Sequence, residues 1–425
     1  MDSISINNFG VINKTTIDIK PLTVFTGANS SGKSFTARLI HSLYSLNNIP
    51  PFDSSKYLDK NNQKLFNQIA QKINDSKEPC KISLKEFKIL LEDGIFKFFS
   101  LIFSDIIEEQ FEENLDNLIN FRKDCFEIKF NDILLKKQKG KSLEFRYDFD
   151  FDEDYIHLNT PVEFSDFYNQ FYFEILNEIY GDENSYYIPA ERSEIVIDKK
   201  MLSRRVKNES ELSKNQSDVL SNIINIDCEK KGYFYKLGCE FDLEFSGIIV
   251  DIKQKNFIND IIYLEHESEE EMSSKLLSTS IHEMTLFSLY LKYILNKGDL
   301  LIIEEPEAHL HPENQRLLLK YIVKSVNNGL NIIITTHSEY ISDQLNNLIR
   351  LNNVSVEKLE KLNYTTGDIL NCDDLAIYNF RKTAKYEFNG EKLDIDETGF
   401  FEDNFSQIVD ELYAETIEIT NSSIR

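Results

Sequence analysis

Residues 23–34 read TVFTGANSSGKS: an apolar lead-in, two glycines, small polar residues, then a lysine and a serine. Leu22 to Phe25 reads as a buried strand, and Phe35, Leu39, Leu43 and Leu46 give one apolar helical face after the loop. Gly27-x-x-x-x-Gly32-Lys33-Ser34 therefore carries the phosphate-loop pattern in its strand–loop–helix setting. The glycines let the backbone of Gly27, Ala28, Asn29, Ser30, Ser31 and Gly32 curl, so that N–H groups up to Phe35 face phosphate oxygens. The helix start adds its partial positive charge. Lys33 is expected to reach the β- and γ-phosphates, and the Ser34 hydroxyl to ligate Mg²⁺. The competing reading is a Gly/Ser turn that matches by accident, which the flanking strand and helix disfavour. A nucleoside triphosphate site is expected.

The chain has 425 residues, enough for one large core or two to three domains. Its 41% apolar and 28% charged content is that of a globular protein. The net charge of −25 repels nucleic acid overall, so any such contact needs a local basic patch. Five scattered cysteines without a CxxC pair point to a reducing compartment and away from a disulfide framework or zinc site. No apolar run approaches about 18 residues, the length of a membrane span. MDSISINNFG lacks a basic-then-apolar leader, so a cytoplasmic location is expected.

ISINNFGVINKTTIDIKPLTVF alternates apolar and polar residues and predicts two or three short strands ahead of the loop. From Asn47 to Ser185 the texture changes to Asn/Lys-rich helical stretches, KEFKILLEDGIFKFFSLIF and SDIIEEQFEENLDNLINF, and then a hairpin with Gly140 at its turn. Residues 186–193, YYIPAERS, return to strand then loop. Residues 194–225 read as helical, GCEFDLEFSGIIVDIK as β structure, and LEHESEEEMSSK as an acidic, solvated loop or helix start. LLII (300–303) and IIITT (332–336) bracket a helix that begins at Pro312 and ends before Gly329. Two continuous apolar strands around a helix indicate a parallel, buried sheet.

At the end of the first of these strands stand Glu304 and Glu305. Glu304 can hold the Mg²⁺ shell through water, and Glu305 can act as general base toward the attacking water. The competing reading is an acidic pair at a helix start. His337 ends the second strand, where a histidine can contact the γ-phosphate and position that water. Glu305, Glu307, His309 and His311 could also be read as a metal cluster, a weaker reading.

The order of phosphate loop, signature segment, paired glutamates and strand-end histidine resembles ABC-type ATPases rather than kinases, GTPases or AAA+ machines. INNFGVINKTTIDI resembles the strand that opens RecF- and SMC-like heads. YYIPAERS, LYLKYILNKGDLLIIEEPEAHLHPENQRLLLKYI and TTHSEYISDQLNNLIRL resemble stand-alone ATPases related to the overcoming-lysogenisation-defect (OLD) nucleases of bacterial antiphage systems, PARIS among them. The likeness covers about 1–46, 186–193 and 276–425. It implies an α/β fold: an ABC-type head with a mixed, partly parallel sheet flanked by helices, formed by 1–46 and 186–425, and a mainly helical insertion at 47–185. It also implies ATP and Mg²⁺ as ligands, and a homodimer or higher homo-oligomer whose heads meet head to tail and sandwich each ATP.

The resemblance makes LLSTSIHEMTLFSLYLKYIL the signature segment. Ser280 would meet the partner's γ-phosphate in trans, and Glu283 aligns with the acidic signature residue. Ile281 and His282 replace the usual two glycines, and Glu304 replaces the usual aspartate. The stretch after Glu305 corresponds to the loop that crosses to the partner. Gln170 is a candidate for the Q-loop glutamine, with Glu191 and Arg192 in the same region.

OLD nucleases also carry a metal-binding TOPRIM domain. Residues 338–425 look too short for one, and Asp394-x-Asp396 reads as part of a surface hairpin. Two basic clusters stand out, KKQKGK (136–141) and the face formed by Lys200, Arg204 and Lys207, the second a candidate nucleic-acid contact. The reading that results is an ATPase of an antiphage system that controls a separate effector, a TOPRIM-like or other nuclease, and cuts no nucleic acid itself. The alternative is a RecF- or SMC-like DNA repair ATPase, which the acidic charge and the lack of sustained heptads disfavour. A transporter ATPase is weaker still, because the segment between the phosphate loop and Glu304 is long and holds no LSGGQ.

Overall fold

The computed structural model describes residues 3–44, 58–76, 80–119, 123, 125–130, 133–147, 155–158, 163–168, 184–197, 213–255 and 258–422. The chain opens with strands β1 (Ser3–Phe9), β2 (Ile12–Asp18) and β3 (Leu22–Thr26), then helix α1 (Lys33–Tyr44). Next come α2 (Lys60–Asn74), β4 (Cys80–Ser83), α3 (Leu84–Leu90), α4 (Phe96–Phe111), β5 (Cys125–Phe130), β6 (Ile133–Gln138), β7 (Leu143–Tyr147) and β8 (Tyr155–Leu158). The second half begins with β9 (Ser185–Ile188), α5 (Arg192–Ile197), α6 (Lys214–Ile224), α7 (Tyr235–Phe245), β10 (Ile248–Lys255), β11 (Ile258–Glu265) and β12 (Glu271–Met272). It continues with α8 (Thr279–Leu289), β13 (Leu300–Glu304), α9 (Pro312–Asn327), β14 (Asn331–Thr335), α10 (Glu339–Arg350) and α11 (Val356–Lys361). The last elements are β15 (Leu375–Ala384), β16 (Glu387–Lys392), β17 (Ile395–Asp396), β18 (Gly399–Phe400) and α12 (Asp403–Ser422).

The chain forms two compact units, 1–18 with 38–184, and 19–37 with 185–425. In the first, strands run in the order β7-β6-β5-β1-β2, antiparallel throughout. Ile4 and Ile6 alternate inward along β1, the period-2 pattern of a strand with one covered face. An aromatic cluster of Phe66, Phe87, Phe164 and Tyr168 packs the helical part, and the Tyr168 hydroxyl donates to the Leu90 carbonyl at 2.5 Å. The β5–β6–β7 meander has three strands where the sequence suggested a single hairpin. Gly140, at φ +73°, sits in the turn before β7.

The second unit holds the order β16-β15-β3-β14-β13-β9. The five strands from β15 to β9 are parallel, and β16 joins β15 antiparallel. β3 and β13 are buried at every position, which is why their sequences are continuously apolar rather than alternating. In register, Phe25 stands beside Thr335 and Thr335 beside Glu304, so the C-terminal ends of β3, β14 and β13 form one row. Ligands of open parallel sheets bind at such an edge. Pro312 opens α9 after an N-cap at His311, and Gly329, at φ +94°, follows its end.

Two local expectations are corrected. Residues 235–245 are helical, although GCEFDLEF alternates like a strand. Gly238, Phe241 and Asp242 are its buried residues, an i, i+3, i+4 face that the short alternation also satisfies. The helical reading of SDIIEEQFEENLDNLINF holds only to Phe111. Glu112 takes φ +53°, and the Glu108 carboxylate accepts from the Leu115 N–H at 2.9 Å, turning the chain away. No helix among the described residues is long and apolar enough to cross a membrane.

Candidate functional site

The phosphate loop leaves β3 through Gly27 at φ +130°, passes Ser30 at φ +59° and Gly32 at φ +99°, and enters α1 at Lys33. Such left-handed residues turn successive N–H groups to one side, the geometry of an anion nest. A Cβ on Gly27 would lie 2.7 Å from the Phe380 carbonyl oxygen, so β15 permits only glycine there. Ala28, Asn29 and Ser30 are exposed, Ser31 and Gly32 are buried, and Ser34 and Phe35 are half-buried.

Lys33 is 4% exposed, and its ammonium donates to the Gly27 and Ala28 carbonyls at 2.8 and 2.9 Å. Burial lowers its pKa, while Glu305, Glu307 and Glu402 oppose that shift. The Ser31 hydroxyl is buried without a hydrogen-bond partner. A buried lysine curled onto its own loop and an unsatisfied hydroxyl beside it fit a phosphate group, which would engage both.

The two glutamates differ in burial and partners. Glu304 is 2% exposed, accepts a hydrogen bond from the Tyr187 hydroxyl, and also accepts from the Ala190 N–H at 3.3 Å. Glu305 is half-buried and takes φ +42°. Its N–H donates to the Thr335 carbonyl at 2.9 Å, and its carboxylate lies 3.5 Å from His337 Nδ1. A carboxylate tied on both oxygens suits a fixed ligand of a cation shell; a half-buried one beside an imidazole suits a proton acceptor. His337 itself is exposed at the end of β14.

Glu307 is buried and takes part in the same site. Its Oε1 accepts from the Thr336 hydroxyl at 2.6 Å and the His337 N–H at 2.9 Å, while Oε2 is buried and unpartnered. The four residues considered as a metal cluster diverge: His309 is exposed, and His311 caps α9, its Nδ1 accepting from the Glu313 N–H at 3.4 Å. No group of three or more His, Cys, Asp or Glu able to hold a metal occurs among the described residues.

On α8, Ser280 is half-buried and its hydroxyl lies 2.8 Å from that of Ser278, near the helix start. Glu283 points inward: it is 1% exposed and pairs with Arg192 at 3.0 Å. His282 is buried against Tyr263 with ring centroids 5.9 Å apart, and burial lowers its pKa. Asp396 accepts from the N–H and the hydroxyl of Thr398 at 2.7 and 2.6 Å, a local turn. Within KKQKGK, Lys137 is buried and paired with Asp116. Lys200, Arg204, Lys207 and Gln170 lie outside the described residues.

Sequence reasoning placed Arg192 only in the region of the Q-loop and Glu307 only in a possible metal cluster, and did not single out Glu402. Arg192 was visible as the cation of the turn after the 186–188 strand, and Glu307 as a carboxylate two positions after Glu305. Glu402 had no signal: it is buried between the Ser342 hydroxyl at 3.0 Å and the field of Lys33, and burial raises its pKa.

The family described as AAA ATPase domain matches residues 1–342. Endonuclease GajA of Bacillus cereus (strain HuB5-5) is 24% identical over 340 residues, which are 76% of this chain and 42% of that protein. The chain thus spans less than half the length of that relative. Two solved structures of Smc heads are similar at 11% identity. One, bound to the C-winged helix domain of ScpA, has a TM-score of 0.46 and covers 93% of this chain and 98% of its own. The other, with an extended coiled coil and bound to the C-terminal domain of ScpA derived from Pyrococcus furiosus, has a TM-score of 0.43 and covers 97% and 99%.

Proposed function

The chain belongs to the AAA ATPase domain family, and from that premise we propose that it is an ABC-type, OLD-like ATPase subunit of a cytoplasmic antiphage system, controlling a separate effector. The family establishes an ATPase domain; the ABC-type pairing and the defence role are the finer reading. One observation carries the ATPase chemistry: the phosphate loop, Glu304–Glu305 and His337 stand together at the aligned ends of β3, β13 and β14. In this reading the loop N–H groups and Lys33 hold the triphosphate of ATP. Ser34 and Glu304 would hold Mg²⁺, which supplies charge neutralisation at the phosphates. Glu305 takes the proton of the attacking water, and His337, steadied by Glu307, orients that water. Ser280 of a second copy would close the sandwich.

The resemblance of YYIPAERS and TTHSEYISDQLNNLIRL to OLD-like ATPases supports the defence setting, the likeness to an endonuclease supports a link to a nuclease, and Asp396, spent on its own turn, supports an effector supplied by another protein. The test is the purified chain, free of other proteins, assayed for ATP hydrolysis and for cutting of DNA and RNA with Mg²⁺ or Mn²⁺. Hydrolysis that Lys33→Ala abolishes, without cutting, is expected. Cutting that disappears in Asp394→Ala/Asp396→Ala would make the chain a nuclease in its own right.

A further inference from the structure

Arg192 opens α5 directly after the strand-then-loop segment, and it is 1% exposed. A guanidinium so deeply buried must have its donors satisfied. Besides a long contact from Nη1 to the Pro189 carbonyl at 3.5 Å, they converge on two segments far away in sequence. Nη1 donates to the Glu304 carbonyl at 2.8 Å, and Nη2 to the Glu305 and Pro306 carbonyls at 3.1 and 3.2 Å. Nε donates to the Glu283 carbonyl at 3.2 Å and pairs with its carboxylate at 3.0 Å.

Carbonyls of consecutive residues alternate sides along a strand. Those of Glu304, Glu305 and Pro306 meet at one cation because the chain turns out of β13 at Glu305, with φ +42°. Three convergent carbonyl dipoles repel one another unless a cation stands among them, and a left-handed glutamate costs energy of its own. Arg192 offsets both. The same guanidinium is bonded to α8, the helix that carries Ser280.

We propose that Arg192 is a positioning residue for ATP hydrolysis, the buried tie that holds the Glu304–Pro306 main chain to α8 and so aims the Glu305 carboxylate. This role rests on the ATPase reading given above. Arg192 touches no substrate; it acts through Glu305. Lysine cannot replace it, since one ammonium lacks the planar fork that spans the carbonyls of both segments and a carboxylate.

The experiment measures kcat, KM and equilibrium ATP binding for wild type, Lys33→Ala, Arg192→Lys, Glu305→Gln and the Arg192→Lys/Glu305→Gln double variant, with melting temperature as a fold control. Arg192→Lys is expected to bind ATP within about 3-fold of wild type while kcat falls about 30-fold or more. In the Glu305→Gln background, Arg192→Lys is expected to add nothing, because the carboxylate it aims is already gone. If Arg192→Lys does not fold, Arg192→Met/Glu283→Met removes both buried charges together, which cores tolerate better than one orphaned charge. That variant is expected to bind ATP and lose hydrolysis. Wild-type kcat in either variant overturns the role, as does a loss that multiplies fully with Glu305→Gln. A wild-type chain that neither binds nor hydrolyses ATP overturns the ATPase reading, and this role with it.

Discussion

Replacing Gly27 with alanine tests how the phosphate loop is held against the sheet. The added methyl carbon would stand 2.7 Å from the carbonyl oxygen and 3.3 Å from the nitrogen of Phe380. Both are main-chain atoms of β15, the parallel neighbour of β3, so no side-chain rotation relieves the contact. Gly27 also holds φ +130°, a conformation that residues with a Cβ rarely adopt. Backbone strain of about 1–3 kcal/mol and overpacking of about 1–3 kcal/mol together cost about 2–6 kcal/mol. That is a large part of the roughly 5–15 kcal/mol by which folded domains are stable. The chain can escape only by lifting the loop off β15, which misplaces the N–H groups that face phosphate. Urea melts and ATP-binding isotherms of Gly27→Ala should therefore show lost stability and lost affinity together. Gly140→Ala is the control: its φ is +73°, but no heavy atom lies within 4 Å of the added carbon. It should lose only the αL strain, about 1–2 kcal/mol, and keep ATP affinity. Indistinguishable behaviour of the two variants would refute the reasoning.

Glu305→Gln should bind ATP and hydrolyse it at least ~100-fold more slowly, about 2.7 kcal/mol of lost transition-state stabilisation; the same phenotype from Glu304→Gln alone would exchange the two roles. His337→Ala should slow turnover and spare binding, which steady-state kinetics and equilibrium titration separate. Ser280→Arg and Lys33→Ala chains, each inactive alone, should regain hydrolysis when mixed, because one composite site per heterodimer stays intact; a mixture that remains inactive counts against paired heads. Glu402 carries a pH signature. Its burial raises the folded-state pKa above the unfolded one, so the protonated form stabilises the fold, fully below the unfolded value, with loss as pH rises through the folded value. Glu402→Gln should then melt higher than wild type near pH 8, with the difference shrinking toward about pH 4; a pH-independent difference would assign its effect to something other than titration.

What the sequence by itself determined is what can be written in contiguous residues. Gly27 to Ser34 announce a phosphate loop because nest geometry needs glycines at fixed spacing. Leu300–Ile303 and Ile332–Ile334 announce a buried parallel sheet because both their faces are covered. Glu304, Glu305 and His337 were legible as candidates from their places at the strand ends. Short alternation was the weak signal, and residues 235–245 show why: a few alternating positions fit a helix face as well as a strand. Only the tertiary structure decided which carboxylate is tied to Tyr187 and which stands beside His337, since Tyr187 reaches Glu304 across 117 residues. It alone brought Arg192 to the carbonyls of Glu304, Glu305 and Pro306, and Glu402 to the surroundings of Lys33. These groups owe their roles to burial among distant partners. Burial is a property of the folded whole, and no window of sequence carries it.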